Sequence, residues 1–228
     1  KVTAQSREQE LKDVPISVTV LDDTMIKQLV ATNLGDLDGF VPGLEITSSS
    51  ITQPRYSIRG ISTGDFGVGT DSAVGVYIDG VYAARSGGAM LAFNDVQRVE
   101  VLKGPQGTLF GRNTSAGAIS VITNKPSEEN EGKLVLRDGN QGTTYLYGLY
   151  NFAITDSSAV RASYVSNESD GWLKDSATGK YLNPESNWAS KLAWRTSFDN
   201  GYVLDVSWDH EVVDQLARPV IGVVTMLG

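Results

Sequence analysis

The chain has 228 residues and a formal net charge of -8, from 27 acidic and 19 basic residues. It contains no cysteine and one histidine, with 24 glycines and nine tyrosines. This excludes a disulfide framework, thiolate metal sites and a cysteine nucleophile, argues against most histidine-based zinc or catalytic schemes, and disfavours a nucleic-acid binder, which needs a basic stripe. The longest nearly apolar run, Val220 to Leu227, is far shorter than the ~20 residues of a membrane helix, but barrel strands cross a membrane with short, alternately apolar segments.

Residues 1–13 (KVTAQSREQELKD) are polar and charged and read as a loosely held arm. Ile16, Val18 and Val20 alternate with Ser17 and Thr19, which predicts a half-buried strand. Asp22 and Asp23 offer an N-cap for a helix carrying Met25, Ile26, Leu29 and Val30. A further helical turn is expected at Asn33–Leu37, capped by Asn33, then a Pro42-Gly43 turn and a strand from Leu44 to Thr47. Strands are predicted at Arg55–Ile61, Val74–Asp79, Asp95–Leu102 and Ala118–Asn124, with Val81–Gly88 and the turn-rich KGPQGTLFGRNTSAG as loops. The glycine-rich stretch Ser62–Ser72 fits neither phosphate-binding glycine pattern. Residues 14–130 therefore read as one α+β unit, a mixed sheet with short helices.

The pattern changes after Gly132. Leu134 and Leu136, then Leu146, Tyr150, Phe152 and Ile154, then Val160, Ala162 and Tyr164 each share a parity. Trp188, Leu192, Trp194 and Phe198, and finally Tyr202, Leu204, Val206 and Trp208, repeat it. These are five strands in series, each with one apolar and one polar face. Thr155–Ser158 and Asp199-Asn200-Gly201 are tight turns, whereas Ser166–Asn187 is a long polar loop. Tight turns at one end and longer connections at the other describe an outer-membrane barrel wall, with Tyr145, Trp188, Phe198, Tyr202 and Trp208 suiting an interfacial girdle. The alternative is a soluble β-rich binding or adhesion module, a sandwich with these faces turned inward and no role in transport.

Several segments together resemble the TonB-dependent outer-membrane receptor family: VPISVTVLDD (14–23), LDGFVPGLEI (37–46), YSIRGIS (56–62), VGVYIDGVY (74–82) and, most specifically, DVQRVEVLKGPQGTLFGRNTSAGAISVITNKP (95–126). The resemblance implies a periplasmic arm at 1–13, a plug domain at 14–130 and, at 131–228, the first strands of an incomplete antiparallel barrel. Family barrels have about 22 strands of ~10 residues, so the residues after the plug suffice for about five. It implies a receptor and active transporter, not an enzyme, located in the bacterial outer membrane and acting as a monomer. The expected ligand is a scarce small molecule, a ferric siderophore in the commonest case and haem, cobalamin or a sugar in others. The protein needs no cofactor of its own; any iron arrives with the ligand. Expected partners are TonB with its inner-membrane ExbB and ExbD complex, which delivers proton-motive force, and outer-membrane lipid.

Residue by residue, the resemblance points to Val2, Thr3 and Ala4 as the tail of the segment that pairs with TonB by β-augmentation. It places Arg59, Glu100 and Lys103 in the charge coupling between plug and barrel, with Lys103 where an arginine is common and the bidentate geometry of an arginine is lost. The plug apices at 48–53, 62–72 and 81–88 would meet ligand through Gln53, Asp65, Phe66, Tyr82 and Arg85. Trp172 and Tyr181, in the long loop, could cover it. His210 is expected to ligate no metal, and no catalytic set stands out.

Overall fold

The computed structural model describes residues 17–48, 54–62, 72–83, 93–110, 113–171, 173–175, 178–179, 181–182 and 184–215. The first described elements are strand β1 (Ser17–Asp22) and helix α1 (Asp23–Gln28). Asp22 caps the helix, its carboxylate accepting from the Met25 amide at 2.9 Å. A single 3-10 turn (Leu34–Leu37) follows, and its Asn33 cap accepts from the Gly35 amide at 2.7 Å. Its leucines, Leu34 and Leu37, are fully buried.

Next come β2 (Leu44–Ser48), β3 (Pro54–Ile58) and β4 (Ile61–Ser62), a small antiparallel sheet in the order β2-β3-β4. The predicted strand Arg55–Ile61 is thus a hairpin. Arg59 and Gly60 both have positive φ, 54° and 76°, the left-handed pair of a tight hairpin turn. An arginine there hides the turn from sequence reading, because such sites favour asparagine, aspartate or glycine.

A five-stranded mixed sheet organises the N-terminal half. It contains β1, β5 (Val74–Ile78), β6 (Val81–Tyr82), β7 (Val96–Lys103) and β8 (Gly117–Thr123), in the order β1-β7-β8-β5-β6. β5 runs parallel to β8 and the other pairings are antiparallel. Val81 and Tyr82, read from sequence as loop, close a hairpin across Asp79-Gly80; a two-residue strand is too short to show a period. The turn-rich piece between β7 and β8 holds one short helix, α2 (Gly107–Phe110).

β7 is covered on both faces, so Val99, Val101 and Leu102 are all fully buried despite their opposite parity. Where β8 meets β7, Gly117 leaves no room for a side chain: a Cβ would stand 2.3 Å from the Leu102 carbonyl oxygen. The core joins Leu21, Ile26, Leu34, Leu37, Ile58, Val99 and Ile119.

Between Thr123 and Glu131 the chain leaves this sheet and enters a second one. Here β9 (Glu131–Asp138), β10 (Thr144–Thr155), β11 (Ser158–Ser169), β14 (Glu185–Ser197) and β15 (Val203–Gln215) form an antiparallel meander in the order β15-β14-β11-β10-β9. A two-stranded outlier, β12 (Leu173–Lys174) with β13 (Tyr181–Leu182), lies within the long connection from β11 to β14.

The pairings keep parity. Leu136 faces Leu146, Phe152 faces Val160, Val160 faces Trp194 and Leu192 faces Trp208. Even-numbered residues therefore share one face across all five strands. That face is apolar and open: Leu134 and Leu136 are each 69% exposed and Trp208 is 59% exposed. The odd-numbered face, turned to the N-terminal unit, buries Asn151, Ala159, Arg161, Ser163, Ala189, Lys191 and Ala193, with Tyr147 and Val165 packed among them. A water-soluble sandwich hides its apolar face; this sheet hides its polar one.

Candidate functional site

The two sheets meet through charge. Asp95 lies just before β7 and Asp79 just after β5, and both adopt left-handed backbone, with φ of 57° and 47°. Aspartate tolerates that conformation better than most residues. It aims both carboxylates past the end of β8 toward the five-stranded wall.

Asp95 meets Arg161 of β11. The guanidinium grips the carboxylate with two donors, Nε to Oδ2 and Nη2 to Oδ1, the latter at 2.9 Å. Asn124 Nδ2 donates to the same Oδ1 at 2.8 Å, and the Tyr147 hydroxyl of β10 lies 3.3 Å from it. Arg161 Nη1 also donates to Glu131 at the start of β9. Asp95 and Arg161 are only 4% and 6% exposed, so each neutralises a charge that burial would otherwise penalise heavily.

Asp79 meets Lys191 of β14, with Nζ 3.3 Å from Oδ2, while the same ammonium donates to Asp209 of β15 at 2.9 Å. Asp79 also accepts from the Thr123 amide at 2.9 Å and hydroxyl at 2.6 Å, and Lys125 stands 3.7 Å away. Burial alone would raise this carboxyl. The hydrogen bonds from Thr123 and the charges of Lys125 and Lys191 outweigh it and hold Asp79 below the usual carboxylate range.

The pair of clamps flanks Thr123 and Asn124, the exit of β8. Arg161 sits opposite Ala193 and Lys191 opposite Ser163, so the two cations are close neighbours on adjacent wall strands. A third tie joins them. The buried Asn151 side chain of β10 donates to the carbonyls of Ser127 and Glu129 at 2.8 and 2.7 Å and accepts from the Ser127 amide at 3.1 Å.

The residues expected to couple the two units are placed as follows. Arg59 is exposed at the β3–β4 turn, and among the described residues its side chain makes no ion pair. Glu100 is fully buried in β7 and accepts from Arg98 of the same strand at 2.7 Å. Lys103 ends β7 half-buried. Across the interface, Asp95 pairs with Arg161 and Asp79 with Lys191, acids on the N-terminal unit meeting bases on the wall.

Of the expected ligand contacts, Tyr82 is half-buried, with its ring 5.4 Å from Tyr77 and its hydroxyl accepting from Asn113 Nδ2 at 2.7 Å. Gln53, Asp65, Phe66 and Arg85, like Val2, Thr3, Ala4 and Trp172, lie outside the described residues. Of the expected girdle, Phe198, Tyr202 and Trp208 are exposed. Tyr145 is not part of it: it has odd parity and lines the interface, where Arg137 stacks over its ring at 4.7 Å. His210 lies 5.1 Å from the Trp188 ring and stacks on Trp208 at 5.7 Å.

Sequence reading missed Asp79, Asp95, Arg161 and Lys191. The Asp-Gly of a hairpin was a usable signal for Asp79. Arg161 and Lys191 look like any other cation on a polar strand face.

Comparison with known proteins agrees with this geometry. Residues 10–118 match the family model described as the TonB-dependent Receptor Plug Domain. The pesticin receptor of Yersinia pestis is 35% identical over 119 residues, 51% of this chain and 17% of its own length. The vitamin B12 transporter BtuB of Vibrio vulnificus is 37% identical over 140 residues, 59% of this chain and 22% of its own length. The chain thus spans less than a quarter of either relative. The crystal structure of the ferric yersiniabactin uptake receptor FyuA from Yersinia pestis superposes with a TM-score of 0.78 at 26% identity, covering 86% of this chain and 31% of that one.

Proposed function

Since this chain belongs to the TonB-dependent receptor family through the plug domain at residues 10–118, we propose that the protein carrying it is an outer-membrane receptor that takes up a scarce small ligand, a ferric siderophore. The observation that carries the reading is the inverted wall. Its apolar residues face outward, where lipid would cover them, and its polar residues face a plug that is tied to it by buried ion pairs. A soluble binding module would leave Leu134, Leu136, Trp194 and Trp208 in water at a cost with no return.

The choice of ligand follows relatives whose names concern iron chelates, FyuA among them, and the cobalamin carrier BtuB marks the main competitor. Tight capture on one side of a membrane without ATP requires work for release. TonB, energised through ExbB and ExbD, would supply it by pairing with the N-terminal arm, for which Val2, Thr3 and Ala4 are the proposed contacts. Gln53, Asp65, Phe66, Tyr82 and Arg85 are the proposed ligand contacts at the plug apices. Arg59, Glu100 and Lys103 are proposed to couple plug movement to later parts of the barrel.

The test is uptake of radiolabelled iron by cells whose only receptor is the full-length protein. Accumulation of a ferric siderophore is expected, and it should stop when TonB is deleted. Uptake of cobalamin with no iron chelate would reassign the ligand. Recovery of the full-length protein as a soluble periplasmic species would refute the reading.

A further inference from the structure

Between α1 and the first wall strands lies a cleft of about 550 Å³, well within the ~300–1,000 Å³ of small-molecule sites. Its cations are Lys27 on α1, Lys133 and Arg137 on β9, and Arg161 on β11. Two of these are occupied: Arg161 is held by Asp95 and Glu131, and Lys27 by Asp23. The other two rest on aromatic faces, with Lys133 5.8 Å from the Tyr147 centroid and Arg137 4.7 Å from that of Tyr145. A cation over a ring is only weakly satisfied at an open site and keeps its donors for a stronger partner.

Lys27 and Lys133 line the same cleft from opposite units, Lys27 on α1 and Lys133 on β9. Ammonium groups have donors only, so an acceptor between them would turn a repulsion into two charge-assisted hydrogen bonds. A second cavity of about 470 Å³ shares Arg137 and Tyr145 and continues toward the β9–β10 connection at Asp138, Gly139 and Thr143. The cations therefore line two adjoining cavities beside α1 and β9, together with Asp23, Asp95 and Glu131 in the first and Asp36 and Asp138 in the second.

We propose that this cleft is an internal binding site for a multiply charged, oxygen-rich anion, with Lys133 and Arg137 as its main contacts and Lys27 closing it from the plug side. The proposal rests on the receptor reading, in which a ferric siderophore is taken up past the plug. It concerns residues of the interface, not the apices proposed to meet ligand first.

The test is equilibrium binding to the full-length protein in detergent, with ferric tris(2,3-dihydroxybenzoate) and inorganic phosphate titrated separately at one ionic strength. The wild type is expected to bind both. The K133Q/R137Q double variant should bind phosphate about tenfold more weakly and lose one class of ferric-complex site, while K133R/R137K stays close to wild type. Unaltered heat-modifiable migration of the variants shows that both fold. Equal affinities in wild type and K133Q/R137Q, or no binding of either probe to wild type, overturns the proposal. Phosphate binding that depends on both residues, with no ferric complex bound, supports the site and counts against the ferric reading of the whole protein.

Discussion

Leu102 and Ile119 in the plug sheet are fully buried, whereas Leu134 and Leu136 in the wall sheet are the most open apolar residues of their strands. The same residue types alternate with polar ones in both halves, yet the two sheets solve opposite solvent problems. The plug collapses its apolar side chains against each other, and β7 is covered on both faces. The wall turns its apolar face out, and its inward face buries small and polar residues, a Tyr147–Val165–Ala189 cluster and the cations Arg161 and Lys191. A plug with a polar outer surface can sit against such a wall only if the charges across the contact cancel, and Asp95–Arg161 and Asp79–Lys191 do this.

The sharpest way to break that contrast is to remove one partner of the deeper clamp. Arg161→Ala leaves Asp95 buried without its guanidinium and is expected to cost about 3–5 kcal/mol, read by chemical denaturation of the full-length protein in detergent. The D95N/R161M double variant should recover much of the loss, because both charges are then gone. A cost under about 1 kcal/mol would mean that the plug is not held there.

Next in size is a charge on the outward face. Leu192→Arg puts a guanidinium at the middle of β14, where lipid is expected, and should cost about 2–4 kcal/mol in folding into bilayers. A neutral result would remove the argument for an inverted wall.

Lys191→Met should cost less, about 1–3 kcal/mol, since Thr123 and Lys125 still satisfy Asp79. This clamp also carries a pH signature. The folded carboxyl of Asp79 lies below its unfolded value of ~3.9. Its contribution is therefore present above about pH 4 and disappears as pH falls through the lower folded value. The stability difference between wild type and Asp79→Asn should be flat from pH 8 to about pH 5 and shrink only in stronger acid. Shrinkage already near pH 6 would contradict the arrangement.

The smallest expected effect is a control within the plug. Asp23 and Lys27 form an exposed pair one helical turn apart, with about half of each side chain in water. Asp23→Asn should change stability by no more than about 0.5 kcal/mol in the same denaturation experiment.

Local chemistry made much of this molecule legible in advance. The caps at Asp22 and Asn33, the turn at Gly43 and the strand period of two are encoded within a few neighbouring residues, and they appear where the residues predict. The parity of Leu134, Leu146, Val160, Leu192 and Trp208 was visible because every wall pairing preserves it, so one apolar face is written into five separate segments. Short features escaped for the same reason in reverse: β6 has two residues, and the β3–β4 turn uses an arginine.

Tertiary structure alone decided which way the apolar face points and which charges meet. Alternation states that a face is apolar, not whether it turns toward a core or toward lipid. That depends on what covers the other side, here a plug carrying Asp79 and Asp95. The sequence separations across the clamps are 66 residues for Asp95 and Arg161 and 112 for Asp79 and Lys191. No local pattern distinguishes those cations from Lys133, Arg137 or Arg195 on the same parity. Only packing selects them, because it removes water from two wall cations and places carboxylates of both units against each.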